Sequence, residues 1–519
     1  MENLSRKLFE TVDFKHADDL VIGPTGVMPE RVLQFGEGNF LRGFVDWMFN
    51  RMNLKGLFNG SVVVVQPIRE GMADMINQQE GLYTLYLRGI KRGDIVKTKE
   101  LVTSVSRCIN MYQDFDEYLK LAQNPELRVI VSNTTEAGIA YNPEDRLEDA
   151  PPSSFPGKLT VFLHKRYEAF KGDMNKGFII IPCELIDRNG DSLKNIVLML
   201  ARDWKLGEGF IEWIEKANFF LNTLVDRIIT GYPKDEADAI INELGYKDTL
   251  IDTGEIFHLW VIEGDRRLSV ELPFTRAGLN VVWTENMTPY RTRKVRILNG
   301  AHTMTVLAAF LYGKDTVKEC MDDQLISMYM RKGIFDEIIP TLDLPEGELV
   351  QYAKDVMERF SNPYIKHYLL SISLNSVSKF KTRVLPSILE YIKRKNEIPQ
   401  ILTFSLAALI AFYRGTSICS NSLLGFRSGS EYKICDDEHV LTFFKELWAG
   451  FDCTEEGTRL LVSKLLSRSD WWGMDLNEVE GLTTLVSSHL FNIIAYGMEK
   501  TLKDLVVESE LLASVRGGF

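Results

Sequence analysis

The 519-residue sequence is poor in the residues that mark several specialised classes of protein. It has only six cysteines and seven histidines, no two cysteines form a C-x-x-C pair, and no cysteine–histidine group has the spacing of a metal site. Glycine (37 residues) and proline (17 residues) are not enriched, which excludes collagen-like and low-complexity chains. We therefore expect reduced thiols, no bound metal and a globular protein of roughly two to four domains.

The sequence also lacks an excess of basic charge and a long hydrophobic run. Its 60 lysines and arginines are outnumbered by 72 aspartates and glutamates, which argues against nucleic acid as a partner. The most apolar stretch, residues 401–413, is shorter than the roughly 20 residues that span a bilayer. Residues 1–20 mix acidic and basic side chains, unlike a targeting peptide. These features predict a cytoplasmic protein without a membrane partner and leave its oligomeric state open.

The first half of the sequence alternates between short β-branched runs and helical patterns. Apolar strands that alternate with helices are typical of a mostly parallel sheet covered on both faces. We therefore predict an α/β, Rossmann-like domain over residues 1–288. Its predicted strands are residues 31–35, 61–66, 82–87, 94–105, 127–132 and 178–182, and its predicted helices are residues 39–53, 114–122 and 158–170.

The second half has few strand-like runs, so a second domain over residues 289–519 is expected to be all helical. The serine- and glycine-rich residues 415–437 are predicted to form a loop. The predicted helices are residues 294–311, 315–331, 347–360, 364–380, 383–394, 400–413, 437–448, 456–467 and 478–503.

A glycine-rich loop directly follows the strand predicted at residues 31–35. Gly36 and Gly38 stand where a dinucleotide-binding loop turns tightly and lets the backbone approach a pyrophosphate. Asn39 and Phe40 begin the helix whose N–H groups would meet that anion. Leu41 replaces the third glycine of the usual pattern. An ordinary turn explains the glycines equally well, and only the strand–loop–helix context favours the dinucleotide site.

Polar residues at two further strand ends are candidates for the same cofactor cleft. The acidic residue that usually binds the adenosine ribose is expected about 20 residues after the loop, where this sequence has Gln66 and then Arg69. Glutamine can bond a ribose hydroxyl and does not repel a 2′-phosphate, so NAD and NADP both stay open. Asn133, Thr135 and Glu136 follow another predicted strand and should border the cleft.

Lys294, Asn299 and His302 form the most informative polar cluster, at the start of a predicted helix. Asn299 and His302 are i,i+3 neighbours, whereas Lys294 and Asn299 lie about 140° apart if each residue turns the helix by about 100°. The positive helix end and burial should both lower the pKa of Lys294, which suits a general acid–base. Asn299 can donate to a developing alkoxide, and His302 can orient a hydroxyl. A solvated lysine beside a self-satisfied Asn–His pair is the alternative.

A second polar segment, residues 183–190, follows the strand predicted at residues 178–182. It contains Asn189, placed beyond the carboxyl end of a strand, where ligands of open α/β sheets bind. An ordinary Asn-Gly turn is the alternative interpretation.

These segments together resemble the mannitol dehydrogenase family of polyol-specific long-chain dehydrogenases. The K-x4-N-x2-H pattern of Lys294, Asn299 and His302 is the family's most specific motif. The other matching motifs are G-x-G-N-F-x-R at residues 36–42, T-E-A-G at 135–138, N-G at 189–190, V-D-R-I at 225–228 and R-F-S-N-P at 359–363. Sequence segments such as QFGEGNFLRGFVDW and ILNGAHT resemble those of members that act on keto sugar acids. Residues 183–185, Cys-Glu-Leu, depart from the Cys-Asp-Asn of polyol-oxidising members.

The resemblance implies metal-independent hydride transfer between NAD and a secondary alcohol in hexuronate catabolism. It implies that Lys294 is the general acid in carbonyl reduction, that Asn189 and Asn299 hold the carbonyl oxygen, and that His302 positions a hydroxyl. The expected substrate contacts are Asp226, His367, Lys379 and Arg383. Asp226 pairing structurally with Arg227 is an equal alternative. Our hypothesis for the substrate carboxylate is that Lys379 or Arg383 binds it, against the alternative of a solvated basic helix face.

Several alternatives remain open on the sequence alone. The resemblance favours tagaturonate as substrate, but fructuronate differs from it only in the configuration of one hydroxyl. An uncharged ketose would fit a mannitol-type polyol dehydrogenase. A catalytically silent dinucleotide-binding module is a rival of another class, which the intact lysine–asparagine–histidine set argues against. Zinc-dependent chemistry is disfavoured because no plausible ligand set is found.

Overall fold

A computed structural model describes residues 1–10, 17–135 and 137–516 of the chain. By its internal contacts the chain divides into two units, Met1–Met287 and Thr288–Phe519. The division falls after Met287, whereas the sequence pattern places it after residue 288. No helix in the described ranges is both long and apolar enough to cross a membrane.

The first unit is built from fourteen strands and eight α-helices within its described residues. The strands are β1 (Leu20–Ile22), β2 (Glu30–Phe35), β3 (Ser61–Gln66), β4 (Tyr83–Lys91), β5 (Asp94–Val102), β6 (Val105–Asn110), β7 (Val129–Ser132), β8 (Ile179–Pro182), β9 (Phe219–Phe220), β10 (Asn222–Asp226), β11 (Ile229–Gly231), β12 (Asp252–Glu255), β13 (Leu259–Glu263) and β14 (Val281–Thr284). The helices are α1 (Asn39–Leu41), α2 (Trp47–Leu54), α3 (Ala73–Gln78), α4 (Phe115–Lys120), α5 (Phe155–Ala169), α6 (Asn189–Asp203), α7 (Glu208–Ala217) and α8 (Ala237–Leu244). A π-helical segment, Arg42–Asp46, joins α1 to α2 without a break.

The largest sheet of this unit has the strand order β6-β3-β2-β7-β8-β9, and every neighbouring pair runs parallel. Counted from β2, this is the 3-2-1-4-5-6 order of a doubly wound dinucleotide-binding fold. Along β2, Val32 packs into the hydrophobic core on one face, and Leu33 and Phe35 pack into the core on the other. Burial on both faces explains why these strands are apolar at nearly every position. The predicted Rossmann-like domain is confirmed.

Two smaller sheets complete the first unit. A mixed sheet has the order β1-β5-β4-β12-β11, and a second one has the order β10-β13-β14. Strands β4 and β5 form an antiparallel hairpin through Arg92 and Gly93, which have φ values of 56° and 85°. Positive φ at both turn residues matches the twist of the flanking strands, so the predicted pair of strands around a glycine turn is confirmed.

The second unit is mainly helical. Its helices are α9 (Thr288–Arg293), α10 (Gly300–Tyr312), α11 (Val317–Asp322), α12 (Gln324–Lys332), α13 (Glu346–Phe360), α14 (Leu369–Ile372), α15 (Ser376–Arg383), α16 (Leu385–Lys395), α17 (Gln400–Phe412), α18 (Glu438–Ala449), α19 (Glu455–Leu466), α20 (Ser469–Trp472), α21 (Leu482–Tyr496) and α22 (Met498–Arg516). The segments Lys294–Asn299 and Gly333–Ile338 are π-helical. The predicted buried helix at residues 401–413 corresponds to α17, which is buried along almost its whole length.

Two sequence predictions for this unit were wrong. The expected loop at residues 415–437 is an antiparallel sheet of β15 (Gly415–Cys419), β16 (Ser422–Arg427) and β17 (Ser430–Ile434). Its two tight turns, Ser420-Asn421 and Ser428-Gly429, have positive φ at both residues, which favours hairpins rather than an open loop. The helix expected over residues 364–380 begins only at Leu369 and is interrupted at Asn375, whose φ is 53°.

Candidate active site

The glycine-rich loop of the first unit has the backbone geometry of a dinucleotide site. Gly36 has a φ of 114°, a conformation that side chains rarely adopt, and a Cβ there would lie 3.0 Å from the carbonyl oxygen of Asn133. Gly38 then caps the helical run that begins at Asn39, and nothing lies within 4 Å of a Cβ built on it. The backbone is therefore open at the start of a helix, where N–H groups attract an anion.

A cleft of about 460 Å³ lies over this loop within the first unit. It is lined by Gly36, Glu37, Gly38, Pro67, Ile68, Asn133, Thr134, Thr135, Ala137, Gly138, Ala140, Tyr141, Asn142, Ser153, Ser154, Phe155 and Lys158. Of the predicted cofactor residues, the two glycines, Asn133 and Thr135 are in this lining. Glu136 lies outside the described residues.

Three predicted cofactor residues are not among the lining residues of the cleft. The Oδ1 of Asn39 accepts a hydrogen bond from Arg42 at 2.6 Å, and the ring of Phe40 stacks on Phe44 with centroids 5.1 Å apart. Gln66 is buried: its Nε2 donates to the carbonyls of Ile68 and Arg69, and its Oε1 accepts from Ala73 N–H. Gln66 thus shapes the segment that follows β3, and its contact with the ribose stays a prediction.

Two polar residues of this region were missed by the sequence analysis. The carboxylate of Glu184 accepts from Ser132 Oγ, Thr134 N–H and Thr134 Oγ1 at 3.0–3.1 Å, and burial raises its pKa. Lys158 lies on the cleft wall, donates to Ser153 O at 2.6 Å, and has a pKa lowered by burial to about 8. The sequence signals were the glutamate in Cys-Glu-Leu and a lysine at the start of an otherwise buried helix.

Asn189, a predicted oxyanion donor, lies in a buried environment where the protein bonds its side-chain amide. It is fully buried, and its Nδ2 lies 3.0 Å from Pro182 O and 3.1 Å from Glu184 O. Its Oδ1 accepts from the N–H groups of Gly190 and Thr223, each at 2.9 Å. Since both ends of the amide are bonded to the protein, Asn189 ties β8 to β10 at the start of α6. Its role as an oxyanion donor stays a prediction, and these bonds argue for a structural role instead.

Asp226 ends β10 and is buried at 5% exposure. The neighbouring Arg227 donates to the carbonyls of Glu255 and Gly43 and stacks on the ring of Trp47 at 4.2 Å. Burial lowers the pKa of Arg227 to about 10. The substrate contact of Asp226 stays a prediction.

The lysine–asparagine–histidine cluster of the second unit lies on a π-helical turn. Lys294 and Asn299 are the first and last residues of the π-segment, and Gly300 N–H bonds back to the carbonyl of Val295. Because residues five apart lie on successive turns of a π-helix, this turn brings Lys294 and Asn299 to one side, unlike the α-helix assumed from sequence. The helix itself begins at Thr288, so the predicted helix-end effect on Lys294 does not apply.

His302 lies one turn further on and has an unfilled hydrogen-bonding position. Its ring stacks on Phe360 with centroids 4.2 Å apart and meets His367 edge-on at 5.3 Å. Its Nε2 is buried and has no hydrogen-bond partner within the described residues. Burial, followed by the nearby charges of His367 and Arg359, lowers the pKa of His302 well below its usual value, so the imidazole is neutral.

Three cationic side chains surround this histidine. The pKa of His302 is lowered further by the positive charges of Arg359, Lys379 and Arg383. Burial lowers the pKa of both Lys379 and Arg383. Lys379 donates to Ile372 O at 2.9 Å. A Cβ at Gly300 would lie 3.1 Å from the carbonyl oxygen of Arg383, so the glycine lets α15 approach the π-segment. The structure thus brings the predicted residues His302, His367, Lys379 and Arg383 together and adds Arg359.

Profiles of one enzyme family match both units. The mannitol dehydrogenase Rossmann domain matches residues 30–274, and the mannitol dehydrogenase C-terminal domain matches residues 286–494. The chain belongs to the mannitol dehydrogenase family. It is therefore an oxidoreductase that acts on CH–OH groups, and the family resemblance of the sequence is confirmed.

Relatives within the mannitol dehydrogenase family include two altronate oxidoreductases. The one from Bacillus subtilis (strain 168) is 48% identical over 481 residues, which cover 92% of this chain and 96% of that protein. The one from Escherichia coli O6:K15:H31 (strain 536 / UPEC) is 48% identical over 483 residues, which cover 93% and 98%.

Two solved structures share the fold. Mannitol 2-dehydrogenase of Pseudomonas fluorescens, in a ternary complex with NAD and D-mannitol, has a TM-score of 0.67 at 21% identity and covers 98% of this chain and 99% of its own. A substrate-free D-sorbitol dehydrogenase has a TM-score of 0.77 at 21% identity and covers 97% and 100%. These likenesses support the Rossmann-plus-helical architecture of the mannitol dehydrogenase family.

Proposed function

We propose that this protein reduces D-tagaturonate to D-altronate with NADH, in a reversible, metal-independent hydride transfer of hexuronate catabolism. One observation carries the substrate class: three partly buried cations, Arg359, Lys379 and Arg383, gather around a histidine with an unfilled ring nitrogen. An uncharged polyol offers these cations no ion pair. A uronate brings a carboxylate that they can bind, and charge-assisted bonds of this kind are among the strongest in proteins.

The relatives support the same substrate class. Two altronate oxidoreductases share 48% identity with this chain over nearly their whole length. The Cys-Glu-Leu segment departs from the Cys-Asp-Asn of polyol-oxidising members, and its Glu184 is bonded by Ser132 and Thr134 at the end of β7. Both points favour a keto acid over a polyol.

The residues of the second unit have the chemistry that carbonyl reduction requires. Lys294 gives a proton to the carbonyl oxygen in reduction and removes it in the reverse direction. Asn299 donates its amide N–H to the same oxygen as charge develops there. Among the described residues its side chain has no competing hydrogen bond. Neutral His302 bonds a substrate hydroxyl through Nε2, because a hydroxyl can donate or accept and so suits either tautomer.

The cofactor is NAD, held by the first unit. Gly36 and Gly38 leave room for the pyrophosphate against the helix that starts at Asn39, and Asn133 and Thr135 border the same cleft. When bound, NADH supplies the hydride for the ketone carbon. The residues Asp226 and His367 remain proposed substrate contacts.

The test is the initial rate of NADH oxidation with tagaturonate, fructuronate and fructose at matched concentration. We expect a clear preference for tagaturonate. Preference for fructuronate would keep the mechanism and change the assigned substrate by the configuration of one hydroxyl. Turnover of fructose alone would favour a mannitol-type polyol dehydrogenase and contradict the role of the cations.

A silent dinucleotide-binding module predicts a different result in the same assay. It binds NADH, as titrated by the fluorescence of the dihydronicotinamide, and turns over none of the three ketones with NADH or NADPH. The cytoplasmic location predicted from the sequence can be checked by fractionating cells that express the protein.

A further inference from the structure

Glu37 is an acidic residue in the lining of the cofactor cleft, and the proposed chemistry does not use it. It stands between Gly36 and Gly38, where the glycine pattern leaves the residue type open. The residue is only 7% exposed, and burial raises the pKa of its carboxyl group. A buried acid in an anion-binding loop needs a polar partner, because an unpaired charge away from water is costly.

The carboxylate of Glu37 reaches the segment that follows β3. A Cβ built on Gly71 would lie 2.1 Å from Glu37 Oε1 and 2.5 Å from Gln66 Cδ, so the glycine leaves the space that the carboxylate occupies. The backbone N–H of Met72 bonds to the same carboxylate. Glu37 therefore crosses from the end of β2 to the loop after β3.

This loop is where a dinucleotide-binding fold places the acid that binds the adenosine ribose. Gln66, which stands at that sequence position, is buried and has both ends of its amide bonded to the loop. Glu37 lines the cleft together with Pro67 and Ile68 from the same loop. A carboxylate accepts about four hydrogen bonds, so the bonds from the backbone N–H groups of Met72 and of Glu37 itself leave acceptor capacity.

We propose that Glu37 binds the hydroxyls of the adenosine ribose and thereby selects NAD over NADP. The inference deepens the proposed function and rests on it, since it concerns the cofactor of that same reaction. A carboxylate accepts from the 2′-hydroxyl of NAD and repels the 2′-phosphate of NADP. The missing acid at the end of β3 is then supplied from the glycine-rich loop itself.

Two cations near the same loop argue for the opposite preference and make the test informative. Arg69 and Lys158 lie over the ring of Tyr112, at 5.1 and 5.6 Å from its centroid, and Tyr112 donates to Pro67 O at 3.4 Å. If these cations set the preference, the protein would favour a 2′-phosphate. If Glu37 sets the preference, the protein favours NADH, and removing the charge of Glu37 should allow these cations to favour the 2′-phosphate of NADPH.

The experiment measures dissociation constants for NADH, NADPH and NADH that lacks the 2′-hydroxyl, in the full chain without any sugar acid. The variants are Glu37→Gln and Glu70→Gln. The glutamine at position 37 keeps an oxygen for the Met72 N–H, so the loop is preserved. Glu70 is an exposed acid in the same loop and serves as the matched control.

We expect wild-type protein to prefer NADH to NADPH by at least about tenfold, since hydrogen bonds to charged groups are worth about 1.5–3 kcal/mol. Glu37→Gln should lower this ratio about tenfold, and Glu70→Gln should leave it within about twofold. Wild-type protein should bind the 2′-deoxy cofactor about tenfold more weakly than NADH, and Glu37→Gln should not distinguish the two.

An unchanged ratio in Glu37→Gln, or a shift in Glu70→Gln instead, would overturn the assignment. Failure of wild-type protein to bind either dinucleotide would contradict the proposed function rather than this inference. If Glu37→Gln does not fold, Glu37→Asp takes its place: it keeps the charge, so NADPH should stay excluded while NADH binds more weakly. An Asp variant that admits NADPH would contradict the role of charge.

Discussion

Two asparagines with the same predicted role differ sharply in their surroundings. Asn189 of the first unit is buried, and protein groups bond both ends of its amide. Asn299 of the second unit is partly exposed, ends a π-helical turn, and has no side-chain partner among the described residues. A motif identifies the residue type, but the free hydrogen-bonding capacity decides whether the residue can serve a substrate.

The same contrast separates the two regions of the molecule. In the first unit, the cleft is formed by glycines and backbone groups, and polar side chains such as Gln66 and Glu184 serve to hold strand ends together. In the second unit, the cluster gathers three cationic side chains near a histidine whose ring Nε2 has no hydrogen-bond partner among the described residues. The first arrangement suits a cofactor shared by many enzymes, and the second suits a specific substrate.

The largest expected effect comes from Lys294. Lys294→Ala removes the proposed proton donor and should lower kcat by about 10²–10⁴-fold, while NADH binding stays within about twofold. Steady-state rates and NADH titration measure the two quantities. Lys354→Ala, at an exposed position on α13, is the control and should be neutral. A Lys294 variant that keeps most of the wild-type rate would refute the role.

Substituting the two asparagines tests the comparison directly. Asn299→Ala should lower kcat by about 10²–10³-fold at unchanged stability, as expected for the loss of an oxyanion donor. Asn189→Ala should lower the free energy of unfolding by about 1–3 kcal/mol, because the N–H groups of Gly190 and Thr223 lose their acceptor. Urea titration and turnover of the remaining folded enzyme measure both. A stable Asn189 variant with lost turnover would support its predicted role as an oxyanion donor.

The cations around His302 should affect the substrate constant more than the chemical step. Lys379→Met and Arg383→Met should each raise KM for tagaturonate about tenfold or more and leave KM for fructose unchanged. Lys366→Met, an exposed cation of the neighbouring segment, is the control. Equal losses on both substrates would mean that the cations shape the site rather than bind the carboxylate.

The smallest expected effect concerns Asp46, a buried residue of the first unit that has no proposed role in binding or catalysis. Asp46 Oδ1 has no partner in the described residues, and burial raises the pKa of Asp46 to about 7. Because the pKa of this carboxyl group is higher in the folded state than its unfolded value near 4, the group contributes its full stability to the folded protein below about pH 4. This contribution is lost as pH rises through about 7. Asp46→Asn should therefore gain at least about 1 kcal/mol at pH 8 and little at pH 4. Urea titration at both pH values measures this, and a gain independent of pH would contradict it.

Much of the fold could be predicted from local pattern. Strands such as β3 are buried on both faces and carry apolar residues throughout, and the glycine turn of β4 and β5 is visible in Arg92-Gly93. The sheet at residues 415–434 was missed because its turn residues, serine and glycine, are also common in loops. Its pairing depends on contacts between segments that local pattern does not describe.

Residue type and spacing are enough to nominate the candidate residues: the loop with Gly36 and Gly38, and the set of Lys294, Asn299 and His302. Which of these candidates have free hydrogen-bonding groups depends on how the chain folds. The π-turn brings Lys294 and Asn299 to one side, and the end of β8 engages Asn189 completely. The physical reason is that side-chain type is local, whereas burial and hydrogen-bond partners come from segments far apart in the chain.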